Sequence, residues 1–446
     1  MLSMVRMAAF LVLMLLSGGA TARSVWNNIG PHARTSGAGD ILTPEGGAVT
    51  VSAESVGQDT FFGAITSVDA TAFRGREVRL AGSLLVAEGT GIAALWLRAD
   101  GPDGRLAFAS TGASPARAGE GAQARELQLY IPSDATHLKL GVTLDAAGRV
   151  NVQRLTLTSE PAVSAGVSAY DMIAYALPII RANALNAGNV DWSAQEAMMR
   201  APGLAQRPAQ EAYGRLQRVL NALGDRHSFL QVPGQASTAR TTAVASTAIE
   251  SRQMQDIGYV LVPGLRGTDA AAGDAFSAEL CEKIATLAPT SSKGWIVDLR
   301  QNTGGNMWPM LSGLGPLLGA GDIGANRTRD GAVTRWPSRG AKACTIDLAR
   351  SRVAVLVGAK TASSGEAVAV AFRGRPDTRF FGEPTSGRAT SNRTYPLPDG
   401  GALLLTTAMF VDRQGDVYPQ GIRPETPASG EQGGVEAAVA WLRSLP

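Results

Sequence analysis

The chain has 446 residues, of which 45% are hydrophobic and 18% charged, with 41 Lys and Arg against 38 Asp and Glu for a formal net charge of +3. That apolar content excludes a disordered chain, and so small a net charge without a long basic block argues against nucleic acid as a partner, although the pI is near 9. A chain of this length is too large for one hydrophobic core, so two or three domains are expected.

At the N-terminus, Arg6 precedes an apolar run from Met7 to Leu16 and then small residues ending in Ala20, Thr21 and Ala22. This order of charged, apolar and A-x-A segments predicts a secretory signal peptide over residues 1–22, and with it a periplasmic or secreted location. The run is about half of the ~20 residues that span a bilayer, and no later stretch reaches that length, so no membrane contact beyond the signal is expected. From 23 to 160, short runs such as Glu77 to Val86, Ala93 to Arg98, Glu126 to Ile131 and Arg149 to Leu157 alternate with period two between Gly, Asp and Pro turns. The pattern predicts an antiparallel β-sandwich. The runs Ala93 to Arg98 and Thr136 to Val142 resemble strands of galactose-binding-like modules, a resemblance that implies a spacer role or a glycan site.

Between 165 and 230 the apolar spacing becomes helical, through Tyr170, Ile173, Ala174, Leu177 and Ile180, then Met198 and Met199, then Tyr213, Leu216 and Leu220. A helical subdomain is predicted there, with Ser193 and Glu196 as a capping box for its second helix. Gly224 ends the last helix and presents His227 from the loop Asp225, Arg226, His227, Ser228. From 231 to 446 strands alternate with helices, the α/β pattern. Strand Gly258 to Val262 is followed by helix Ala275 to Leu287 and by strand Gly294 to Arg300, which runs into Gln301, Asn302, Thr303, Gly304 and Gly305. Strand Arg352 to Gly358 leads through Lys360, Thr361 and Ala362 to Ser363, Ser364, Gly365, Glu366 and an apolar helix reaching Phe372. A serine on a tight turn at a helix N-terminus suits a nucleophile, because the helix amides favour negative charge on an attacked carbonyl oxygen. The same spacing also describes a plain capping box of Ser363 with Glu366.

The segments DRHS, VDLRQNTGG, TASSGE, Phe381 to Gly387 and Gly421 to Glu425 occur together and in this order. In that combination the chain resembles the C-terminal processing peptidase family, the S41 peptidases, from about Tyr170 to the C-terminus. The resemblance implies a crotonase-like or ClpP-like α/β core, Ser363 as nucleophile, and an oxyanion hole of the Ser364 amide with that of Gly304 or Gly305. Better-known members use a lysine base after the GEPTxG segment, where this chain has Arg388. A guanidinium stays protonated and cannot take the serine proton.

Of the three histidines, His32 and His137 precede the helical segment and only His227 falls in the catalytic half. In the family branches related to tricorn protease and to the nisin resistance protein, a D-x-H loop supplies the base, which implies a Ser363–His227 dyad. Lys360 is a second candidate base three residues from Ser363. Asp225 is a candidate to orient the imidazole or to cap its loop, Asn392 to position the site, and Glu366 to cap the helix. Arg388 is suited either to a substrate carboxylate or to an internal salt bridge.

The expected reaction is hydrolysis of peptide bonds, in peptides or unfolded protein tails, through an acyl-enzyme and without a cofactor. The Ala-, Thr- and Ser-rich stretch from 231 to 252 carries no PDZ domain and reads as a flap over the groove. A non-catalytic ligand- or peptide-binding protein on the same core is the alternative. Cys281 and Cys344 leave open a disulfide or two separate thiols, and with no CxxC or HExxH spacing no metal is expected.

Overall fold

The computed structural model describes residues 24–54, 62–89, 91–102, 104–161, 166–200, 202–233, 244–245, 247–341 and 346–444. Residues 1–22, half of the expected flap and Cys344 lie outside that set. Cys281 itself is buried. The N-terminal region is antiparallel throughout. One sheet runs in the order Asn27–Ile29, Phe62–Asp69, His137–Leu144, Ile92–Gly101, Gly104–Ser110, and a second in the order Ala33–Ala38, Gly47–Ala53, Gly148–Pro161, Arg76–Gly89, Gln123–Tyr130. Their alternating side chains enclose one apolar core that includes Val51, Leu80, Leu95, Leu140 and Val150, the outcome that period-two patterning dictates.

Three helices follow, α1 (Ala169–Asn183), α2 (Trp192–Met199) and α3 (Gln210–Leu223). Ser168 and Asp171 form the capping box of α1. Helix α2 starts differently from the sequence expectation, because Asp191 Oδ1 takes the amides of Ser193 and Ala194 at 3.1 and 3.3 Å. An ionised acceptor two positions earlier outcompetes the serine hydroxyl, and Glu196 turns outward to Arg181. Gly224 ends α3 in the left-handed conformation at φ 71°. The apolar faces of α1 and α3 bury Ile173, Leu177, Leu216 and Leu220 against Leu403 and Leu405 of the C-terminal half.

The C-terminal half is an α/β core. Strands β1 (Phe229–Gln231), β2 (Glu250–Met254), β3 (Ile257–Leu261), β4 (Gly294–Asp298), β5 (Asp322–Thr328), β6 (Val333–Pro337), β7 (Val353–Val357), β8 (Thr378–Gly382), β9 (Thr390–Pro396), β10 (Ala402–Val411) and β11 (Thr426–Pro427) build two sheets. One has the order β2-β3-β4-β7-β8-β11 and is parallel from β3 onward. The other runs β1-β10-β5-β6, with β9 also paired to β10. Strands β4 and β7 are buried at every residue, as a parallel sheet covered on both faces requires. Helices α4 (Ala270–Leu287), α5 (Met307–Gly313) and α6 (Ser364–Phe372) contribute to the core on one face, and α7 (Gly430–Ser444) covers the other. Because β4 and β7 are parallel neighbours, Trp295 opposite Val353 and Asp298 opposite Leu356, the loops after them emerge side by side. That is the sheet edge where α/β folds bind ligands.

A buried carboxylate ties the first region to the helices. Glu211 of α3 is 1% exposed and accepts from Tyr130 Oη and the Ser133 amide, both at 3.0 Å, from the Ser133 hydroxyl, and from Arg207 at 3.1 Å. Replacing Glu211 by Ala leaves these donors without an acceptor. The expected loss is about 3 kcal/mol, read as a lower melting transition, with Glu211→Gln losing less. An unchanged melting curve for Glu211→Ala would show that the carboxylate does not hold the two parts together.

Candidate active site

The loop after β4 is shaped by Asn302, which is fully buried. Its side-chain amide donates to Val262 O at 3.1 Å, its Oδ1 accepts the Gly304 amide at 3.0 Å, and its carbonyl accepts the Ala362 amide at 3.0 Å. The glycine loop is thereby bound to the turn after β7. Backbone approach is so close that a Cβ on Gly304, at φ 99°, would sit 2.8 Å from Ala362 O and 3.1 Å from Ser364 N. A Cβ on Gly365 would sit 2.4 Å from Asn302 O. Thr361 completes the turn, donating to Leu299 O at 2.9 Å and accepting from Gly358 N at 3.0 Å.

Ser363 stands at the N-cap of α6 with φ 53° and ψ −118°. A non-glycine residue at positive φ is costly and clusters at functional sites. The conformation is held by Glu366, fully buried at the start of the same helix. Its carboxylate accepts from Ser363 N at 3.0 Å, Thr385 Oγ1 at 2.6 Å, Ser386 Oγ at 3.1 Å, Gly387 N at 3.1 Å and Arg388 N at 2.8 Å. Burial pushes this carboxyl up, against the pull of those donors. Glu366 thus does more than cap a helix: it binds the serine turn to the whole 385–388 segment. The Ser364 hydroxyl donates to Gly305 O at 2.5 Å. The Gly304 amide is committed to Asn302, whereas those of Gly305 and Ser364 carry no hydrogen bond among the described residues. Of the two expected glycine donors, Gly305 is therefore the available one.

His227 is tied to β9. Its Nδ1 lies 2.8 Å from Thr390 Oγ1, and the Thr390 amide donates to Arg388 O at 2.7 Å. Its carbonyl accepts from Asn392 Nδ2 at 2.8 Å, and Asn392 Oδ1 in turn accepts from the buried Thr406 hydroxyl at 2.9 Å. Burial first, then the charge of Arg388, push the imidazole down to about 4, with Asp225 opposing. Asp225 caps the loop instead of orienting the ring: Oδ1 accepts the amides of His227 and Ser228 at 2.9 and 2.8 Å, and Oδ2 the Ser228 hydroxyl at 2.6 Å. The ring partner is Thr390, which sequence reasoning missed although it lies between Arg388 and Asn392. Arg388 has an exposed side chain, with no ion pair or side-chain hydrogen bond among the described residues. Lys360 is also exposed and lies 3.5 Å from Gln301 Oε1. In the VDLR run, Asp298 is buried and spent on Tyr259 Oη at 2.7 Å and on Arg300. No cluster of three potential metal ligands exists among the described residues.

Residues 256–428 match peptidase family S41, a segment that contains Ser363, Gly305, Glu366 and Thr390 and begins after His227. The nisin-resistance protein of Lactococcus lactis subsp. lactis is 28% identical over 239 residues, covering 51% of this chain and 73% of that protein. A carboxy-terminal-processing protease of Bartonella bacilliformis is 29% identical over 182 residues, covering 40% of each; the chain thus spans about two fifths of that relative. Among solved structures, a lipoprotein from Streptococcus agalactiae superposes with a TM-score of 0.53 at 26% identity, covering 62% of this chain and 97% of that one. The match over residues 256–428, together with the processing-protease relatives, therefore indicates a serine-type peptidase similar to peptidase family S41.

Proposed function

We propose that the protein is an exported serine endopeptidase that cleaves peptides or unfolded protein tails with a Ser363–His227 dyad. The observation that carries this reading is the joint placement of a strained serine at a helix N-terminus and the His227 imidazole on one hydrogen-bonded framework, running through Glu366, Arg388 and Thr390. In this reading Nδ1–H donates to Thr390 Oγ1 and leaves Nε2 as the base. His227 takes the Ser363 proton, Ser363 attacks the scissile carbonyl, and the amides of Ser364 and Gly305 hold the oxyanion. Each such donor is worth on the order of 3 kcal/mol. The imidazolium then protonates the leaving amine, and water hydrolyses the acyl-enzyme. Arg388 acts as a fixed charge, and no cofactor enters.

The wider assignment belongs to the same proposal: residues 1–22 as a signal peptide, 23–160 as a galactose-binding-like sandwich, 165–230 as a helical subdomain and 231–446 as the peptidase core. The export signal in the sequence favours a periplasmic or secreted site of action, and no helix among the described residues is long and apolar enough to cross a membrane.

Intact-mass labelling with a fluorophosphonate probe tests the dyad. One adduct per chain is expected, lost in Ser363→Ala and in His227→Ala; a folded parent chain that stays unlabelled would overturn the catalytic reading in favour of a ligand-binding protein. Thr390→Val is expected to lower kcat roughly tenfold to hundredfold, a fraction of what a positioned general base supplies, with KM nearly unchanged and Thr390→Ser largely restoring the rate. A kcat for Thr390→Val equal to the parent value would remove Thr390 from the orienting role. The pH profile is a third check. Since only neutral imidazole accepts a proton, kcat/KM should hold as pH falls through 6.5 and drop near the imidazole pKa of about 4. Arg388→Gln removes a charge that disfavours the imidazolium, so the acid limb should move upward. An acid limb at 6.5 in the parent, or a downward shift in the variant, contradicts this electrostatic assignment.

A further inference from the structure

A second concave site opens on the far side of the His227 loop. A cavity of about 660 Å³ lies between the Gly104–Ser110 strand, helix α3 and strand β1, and its wall includes Arg226 and Ser228, the two neighbours of His227. Among the described residues, two arginines line it, Arg105 and Arg226, and no acidic residue does. Described acids on the neighbouring elements are already occupied. Asp100 is held by Arg98 and Lys139 at 2.8 and 2.9 Å, Asp399 accepts from Tyr213 Oη at 2.8 Å, and Asp225 caps the catalytic loop. Neither Arg105 nor Arg226 has an ion pair among the described residues; Arg105 stacks on Phe108, its guanidinium carbon 5.9 Å from the ring centre. Phe108 is 43% exposed. Arg226 is itself held at φ 52°.

The walls suit an extended chain. Gly104–Ser110 is the last strand of its sheet and β1 the last of its own, so each has backbone groups without a neighbouring strand. Gln217 and Asn221 also line the cavity, the Gln217 Nε2 donating to Asn221 Oδ1 at 2.9 Å. We propose that this cavity is an exosite for a polypeptide segment carrying acidic side chains beside apolar ones, with the carboxylates on Arg105 and Arg226 and an apolar side chain against Phe108. The occupant is specified by charge complementarity. The inference rests on the peptidase reading in one respect, that a segment held here lies one residue from His227 and so tethers a substrate at the catalytic loop.

The test uses the full chain carrying Ser363→Ala, so that bound peptide is not cleaved, and fluorescence anisotropy with a fluorescein-labelled peptide of alternating Glu and Phe or Leu residues. Its Gln counterpart is the control. The acidic peptide is expected to bind more tightly than the Gln peptide and to weaken as salt rises. Arg105→Glu should weaken it on the order of tenfold, while Arg105→Lys should bind nearly as the parent does and Phe108→Ala should weaken both peptides. Equal affinity for the two peptides, no binding of the acidic one, or indifference to Arg105→Glu would overturn the exosite. Fluorophosphonate labelling of the unsubstituted chain separates the two readings. Labelling without acidic preference removes the exosite alone, and acidic preference without labelling removes the catalytic reading alone.

Discussion

The buried carboxylate of Glu366 is the interaction on which the site depends. A fully buried acid is costly unless its lone pairs are filled, and here five donors from two chain segments fill them. One of those donors is the amide of Ser363, so the strained serine backbone and the 385–388 segment share one anchor. The donor at Arg388 directs the chain into β9, and β9 carries both Thr390 and Asn392 to the His227 loop. The serine turn and the histidine loop come from parts of the chain 136 positions apart, yet a continuous path of hydrogen bonds connects them.

Charge placement around the imidazole follows from the same framework. Burial lowers the pKa of His227, and the guanidinium of Arg388 lowers it further. An arginine at this position cannot serve as base, but it is well suited to keep another base neutral. In the proposed dyad, the arginine that takes the place of one proton acceptor would thus support a different one.

The N-terminal sheets are built into the molecule through Glu211, a second buried acid satisfied across a boundary between segments. That contact sets the Gly104–Ser110 strand against α3 and leaves the arginine-lined cavity between them. A region that looks from its own strands like a spacer becomes one wall of a concavity ending at the His227 loop.

Much of this was legible in the residue order. Period-two runs marked the N-terminal strands to within a few residues, and the run from Arg352 to Phe372 carried its strand, turn and helix because small residues and an apolar stretch admit few alternatives. Ser363, His227, Glu366 and Asn392 were candidates from motifs alone, since local spacing reflects local backbone requirements. What only the tertiary structure decided were the partnerships across the chain. Thr390 rather than Asp225 faces the imidazole, and Gly305 rather than Gly304 keeps an uncommitted amide. Asp191 rather than Ser193 starts α2. A hydroxyl or an amide has one local chemistry and many possible partners, and the choice among them is made by burial and distance in the folded chain, which no spacing encodes.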